Sequence, residues 1–309
     1  MIGYFTSFRG VVKLIILILF ILASTFLFAD FECINELNSN SDFIFFIFSD
    51  NHGHALENAY FKRMDEIRVK SNARFAIGVG DHVKRHRNQP FLDLITDNQW
   101  WHDNFFPNIA DGENEVFGSS QGDWGSGGEL LKHVSFAVAD SVYLRENGAE
   151  YYARMQVNDF TVHIIQLHFP DTPRNTSLSF RQESRDFLIK TLEDLKITQY
   201  DIVIVAAHSM SGFWHHLLSN EEQNILLSKA DLILSGTSHI FDRVICPLNH
   251  EDGALILNPG SVTDPFFFSP PGFLQVNVLN NPVRLVVQFV DVRNEEYEIA
   301  PVEKRFIRK

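Results

Sequence analysis

The chain has 309 residues, 45% hydrophobic and 13% aromatic, with a formal charge of −13, which suits one large buried core and repels polyanions. Nonspecific DNA or RNA binding is therefore disfavoured, and the one basic run, Lys84-Arg85-His86-Arg87, reads as a solvated loop. No repeat period, low-complexity linker or charge block divides the chain.

Residues 1–29 read as an export signal. Arg9 and Lys13 lead into an apolar run from Leu14 to Phe28, and Ala29 precedes Asp30. Leu27 is bulky for the position two before a cleavage site, and the apolar stretch from Val11 approaches the roughly 20 residues that span a bilayer. An uncleaved membrane anchor is thus the alternative. Either reading puts the remainder outside the cytoplasm, exported to a periplasmic or extracellular location or held at a membrane. Residues 30–42 read as a short linker, 43–300 as one domain and 301–309 as a tail. Export permits a disulfide between Cys33 and Cys246; two separate thiols fit the sequence as well.

The run Phe43-Ile44-Phe45-Phe46-Ile47-Phe48 stops abruptly at Ser49-Asp50-Asn51-His52. Such a run predicts a strand buried on both faces, with a carboxylate and an imidazole at its carboxyl end. Taken alone, the pair also fits a turn residue beside a surface histidine. A helix to about Lys70 follows, with Leu56, Tyr60, Met64 and Ile67 on one face, and then a second apolar strand from Arg74 to Val79 ends in Gly80-Asp81-His82. This strand–helix–strand rhythm predicts a parallel pair. Trp100 and Trp101 read as core. Pro107 to Glu115 reads as a polar loop carrying Glu113 and Asn114, and Gly118 to Gly128 as a flexible one.

Glu150 to Val157 and Phe160 to Phe169 alternate around Asn158-Asp159, predicting a hairpin that starts a second sheet. An amphipathic helix covers Arg181 to Leu195. Buried strands then end at His208, after Ile202 to Ala207, and at Gly236-Thr237-Ser238-His239, after Leu232 to Ser235. Leu255 to Leu257 leads into Asn258-Pro259-Gly260-Ser261, and Phe273 to Val292 closes the chain as a hairpin about Asn280-Asn281.

Collected, the strand ends offer Asp50, His52, Asp81, Asn114, His208 and His239. A carboxylate, amide and imidazole set suits Mn, Fe or Zn, and two such ions bridged by a carboxylate clamp an in-line attack on phosphorus. Five ordered motifs across residues 43–265 resemble the calcineurin-like metallophosphoesterase family: Ser49-Asp50-Asn51-His52, Gly80-Asp81-His82, Gly112-Glu113-Asn114-Glu115, His208 and Gly236-Thr237-Ser238-His239. The resemblance implies an α/β fold, a four-layer α/β/β/α sandwich with two central mixed sheets flanked by helices. It also implies a first metal held by Asp50, His52, Asp81 and His239, and a second held by Asn114 and His208 with Asp81 bridging. Asp81, Asn114 and His208 then surround the chemistry, hydrolysis of a phosphomonoester or phosphodiester by a metal-bound hydroxide. The expected partner is a small phosphoester substrate, with membrane anchoring through the N-terminal segment as the alternative to free export.

Two positions depart from the family pattern. Thr237 stands where a histidine ligates the second metal, which leads us to expect one tightly bound divalent ion and a weak second one. Glu113-Asn114 replaces an asparagine–histidine pair, so either residue takes the ligand role and the leaving-group histidine is missing; His54, His82 and His102 are the candidates to replace it. A degenerate family member that keeps the sandwich as a binding module, with one ion or none, is the alternative function.

Overall fold

In a computed structural model of the protein, the residues described are 38–50, 59–80, 82, 93, 95–108, 130–145, 150–168, 178–208, 218–236, 241–245, 254–260, 271–281, 283–293 and 302–305. All six residues of strand β1 (Phe43–Phe48) are buried. Its neighbours explain why no polar residue interrupts it: β2 (Phe75–Gly78) pairs parallel on one edge and β11 (Gly272–Asn280) antiparallel on the other. With both edges paired, the two faces must find apolar cover. Phe45 stacks on Phe75 at 4.7 Å and Phe46 packs on Phe273 at 4.5 Å.

Between β1 and β2 runs helix α1 (Ala59–Ser71), whose Met64 is fully buried. Helix α2 (Gln99–Asn104), capped by the Asn98 side chain, buries Trp101 against Phe48 and Phe105. Both tryptophans therefore serve packing, Trp100 lying under the Arg68 guanidinium at 4.1 Å. Strand β3 (Phe105–Phe106) follows, then β4 (Ser141–Leu144), β5 (Tyr151–Val157) and β6 (Phe160–Leu167). Asn158, at φ 53°, turns the predicted β5–β6 hairpin. Helix α3 (Leu178–Asp194), β7 (Asp201–Ala207), helix α4 (Asn220–Lys229), β8 (Leu232–Ser235), β9 (Phe241–Ile245) and β10 (Leu255–Pro259) precede β11, and β12 (Val283–Asp291) and β13 (Val302–Arg305) follow it.

The strands form two mixed sheets, β13-β12-β11-β1-β2-β3 and β4-β5-β6-β7-β8-β10-β9. Phe43, Phe45, Phe160, Val162, Ile202 and Ile204 belong to the core between the sheets. Alternate residues of the second sheet, including Ile165, Val203 and Val205, form a separate core with Leu188 and Leu192 of α3 and Leu226 of α4. Helices α1 and α2 pack on the first sheet and α3 on the second. The result is the expected four-layer α/β/β/α sandwich. Val302–Arg305, within the stretch read as a tail, pairs with β12 as an edge strand.

A polar seam crosses the core where the strands end. Asn108 Nδ2 donates to Gln166 Oε1 at 2.8 Å and to the Leu167 carbonyl at 2.9 Å, while its backbone N–H donates to Gly78 O. Gln166 Nε2 returns a bond to Phe106 O at 3.0 Å, and the Tyr151 hydroxyl donates to Pro107 O. Buried amides require such partners, so the seam fixes how the end of one sheet sits on the other.

Asp42–Lys309 forms one compact unit and Met1–Ser41 a second. Among the described residues no helix is long and apolar enough to cross a membrane. The segment 1–29 and both cysteines lie outside the described residues.

Candidate metal centre

Strand β1 delivers Ser49 and Asp50, both fully buried, to the seam end of the sandwich. Asp50 leaves the strand at φ 54°, a left-handed conformation that short polar side chains tolerate. Its N–H donates to Gly80 O at 3.0 Å, and the Val79 N–H to Phe48 O at 2.9 Å. Gly80 itself sits at φ 92°, where a side chain would be strained.

Strand β7, buried along its whole length, ends in His208, which is 2% exposed. His208 Nδ1 lies 2.7 Å from the Val79 carbonyl oxygen. A carbonyl can only accept, so Nδ1 carries a proton, and in the neutral ring it is Nε2 that offers a lone pair. That nitrogen is 3.9 Å from Asp50 Oδ1, beyond hydrogen-bonding distance. A carboxylate oxygen and an imidazole lone pair thus share one buried corner, with the outer ring nitrogen tied to the backbone as in metal-ligating histidines. A carboxylate oxygen and an imidazole nitrogen are both donor types that divalent Mn, Fe or Zn accepts.

Glycine makes the His208–Val79 contact possible. Gly236, at the end of β8, donates its N–H to His208 O at 2.9 Å, and a Cβ there would fall 2.5 Å from His208 Nδ1 and 2.6 Å from Val79 O. The frame closes through β10. Asn258 Nδ2 donates to Gly236 O at 2.6 Å, Gly260 N–H donates to Asn258 Oδ1 at 3.0 Å, and Ser49 Oγ lies 2.8 Å from Gly260 O.

Of the six residues predicted to hold metal, Asp50 and His208 are thus brought together. His52, Asp81, Asn114 and His239 lie outside the described residues, as do Glu113, Thr237, His54 and the loops 109–129 and 209–217. Among the described residues no cluster of three or more His, Cys, Asp or Glu side chains gathers.

His82 is part of the packing beneath the strand ends. It is fully buried, its ring meets Phe48 and Phe105 edge-on at 5.3 and 5.4 Å, and its Nε2 accepts from Gly80 N–H at 3.2 Å. His102, on α2, pairs with Asp103, which holds the Ser135 hydroxyl. Ser49, Asn258 and Asn108 carry the frame without having been singled out from sequence. The signal for Ser49 and Asn258 lies in the stretches Ser49-Asp50-Asn51-His52 and Asn258-Pro259-Gly260-Ser261, each directly following an apolar run. His168 is a further histidine at a strand end, 5% exposed, following the Leu167–Ala207 pair that places it beside the β7 terminus.

No family model and no curated protein sequence matches the chain. Among solved structures it is similar to a purple acid phosphatase from seeds of yellow lupin (Lupinus luteus), with TM-score 0.54 and 14% identity over 86% of this chain and 54% of that one. It therefore spans about half the length of the plant enzyme. It is also similar to a dimetal phosphatase from Danio rerio, with TM-score 0.53 and 12% identity over 86% of this chain and 99% of that one. The fold is that of the calcineurin-like metallophosphoesterases.

Proposed function

We propose that the chain is a divalent-metal-dependent phosphoesterase that hydrolyses phosphomonoesters or phosphodiesters, exported or held at a membrane by its N-terminal segment. The observation that carries this reading is the convergence of Asp50 and His208, on different sheets, with His208 Nε2 turned toward the carboxylate and Nδ1 committed to Val79 O. The order of the remaining motif residues and the fold shared with enzymes called phosphatases support it.

Asp50, His52, Asp81 and His239 are the residues to hold a first ion, and Asp81, Asn114 and His208 a second. When bound, divalent cations supply a Lewis acid for phosphoryl oxygen and bring the pKa of bound water toward neutrality. The protein's part is to orient its donors before substrate arrives. Val79 fixes the His208 tautomer, and the buried strand ends keep bulk water from competing with Asp50. With Glu113-Asn114 in place of an asparagine–histidine pair, proton transfer to the leaving group is weakened, so esters of acidic alcohols react best.

The test is nitrophenol release from nitrophenyl phosphate by the purified protein. Activity that requires added Mn²⁺ and disappears in Asp81→Ala supports the proposal; activity indifferent to both refutes it. Thr237 favours a second reading, a binding module on the same sandwich. Inactive wild type with turnover appearing in Thr237→His would support that alternative.

A further inference from the structure

The segments carrying Asp50 and the Gly236-Thr237-Ser238-His239 motif are connected by hydrogen bonds through Ser49 and Asn258, neither of which is a proposed metal ligand. Asn258 occupies the middle. Its Nδ2 holds the Gly236 carbonyl at 2.6 Å and its Oδ1 takes the Gly260 N–H at 3.0 Å. Gly260 turns at φ 72°, and its carbonyl meets Ser49 Oγ at 2.8 Å, from 211 residues away in sequence. The same hydroxyl lies 2.5 Å from Asp50 Oδ2. Ser49 is fully buried, and its hydroxyl, with one proton to give, stands within reach of both oxygens.

Resting on the phosphoesterase reading, we infer that Ser49 and Asn258 are positioning residues, acting as one relay that sets the plane of the Asp50 carboxylate against the strand end leading to His239. Either residue alone, Ser49 buried and Asn258 half-buried, would be an ordinary polar group with its partners satisfied. Together they join the two chain segments proposed to contribute to the first cation site, and they meet Asp50 through Oδ2, whereas His208 Nε2 is 3.9 Å from Oδ1. One carboxylate oxygen is thereby held by the protein while the other is turned toward the imidazole. Serine suits this place because its hydroxyl can reach both oxygens from one short side chain. Asparagine suits the other because it offers a donor and an acceptor at once.

Outer partners of this kind typically change metal affinity by roughly 10- to 100-fold. The experiment is calorimetric titration of the metal-free full chain with Mn²⁺ for wild type, Ser49→Ala, Ser49→Thr, Asn258→Ala and the Ser49→Ala/Asn258→Ala double variant, with the melting temperature of each metal-free protein recorded. The expected result is a loss of tight-site affinity of about 10- to 100-fold in each alanine variant, retention in Ser49→Thr, and a double variant much less impaired than independent losses would give. If Ser49→Ala does not fold, Asn258→Ala tests the same relay with Ser49 in place. Wild-type affinity in both alanine variants, or losses that add independently, overturns the relay while leaving the phosphoesterase reading intact. A wild-type protein that takes up no Mn²⁺ overturns both.

Discussion

His208 Nδ1 donates to the Val79 carbonyl at 2.7 Å, joining residues 129 positions apart across the two sheets. A single backbone acceptor thereby decides which ring nitrogen is offered to the site. The bond also explains why glycine ends β8: the space a Cβ would fill at Gly236 is occupied by the imidazole and the carbonyl it holds.

Gly236→Ala should break that arrangement. Its Cβ cannot coexist with His208 Nδ1 at 2.5 Å and Val79 O at 2.6 Å, and relieving such overpacking costs about 1–3 kcal/mol. Urea denaturation should show that loss, and Mn²⁺-dependent turnover should fall more than the residual folded fraction explains.

His208→Ala removes the proposed ligand and leaves Val79 O without this donor. An abandoned buried acceptor costs about 1–3 kcal/mol, so the melting temperature should drop modestly. Phosphoester turnover should drop at least 100-fold, as loss of a directly bound ligand exceeds the roughly 10- to 100-fold effect of an outer partner. Steady-state assay of the folded variant checks this.

Asn108→Ala probes the seam between the sheets. It removes the donor that Gln166 Oε1 and Leu167 O share, and about 1–3 kcal/mol per stranded group predicts a clear fall in the urea midpoint. An unchanged midpoint would show that the seam contributes little to holding the layers.

Acid should expose the role of Asp201. Burial alone would raise its pKa, but hydrogen bonds from the Thr198 side chain, His163 and the Thr198 backbone outweigh burial and hold the carboxyl below 3.8. Its contribution to stability is therefore present above pH 3.8 and is lost as pH falls through the depressed folded value. Thr198→Val removes the Oγ donor at 2.5 Å. NMR titration should show the Asp201 carboxyl moving up, and acid unfolding should begin at higher pH.

The buried strands were legible in sequence because they are long apolar runs bounded by polar strand ends, as in β1, β7 and β8. The β5–β6 and β11–β12 hairpins were legible from alternation and asparagine turns. Strand β4 was not legible: Val142, Tyr143 and Leu144 are apolar, but a run of four residues, all exposed at a sheet edge, is too short to show a period. Helix α4 carries a sequence signal of its own, the Ser219–Glu222 capping box. At the site, Asp50 and His208 were identifiable as strand ends. That His82 belongs to the packing was not, because its place depends on Gly78, where a Cβ would lie 2.2 Å from its Nε2. The bracing by Ser49 and Asn258 was equally hidden, since it joins residues far apart in sequence through single side-chain atoms.

The most direct test is elemental analysis of the purified protein coupled to a phosphoester panel on the same sample. The account predicts bound Mn, Fe or Zn, one ion held tightly and a second only on addition because Thr237 replaces a ligand, with hydrolysis fastest for nitrophenyl esters. Protein that takes up no divalent ion at any added concentration and cleaves no phosphoester would contradict it.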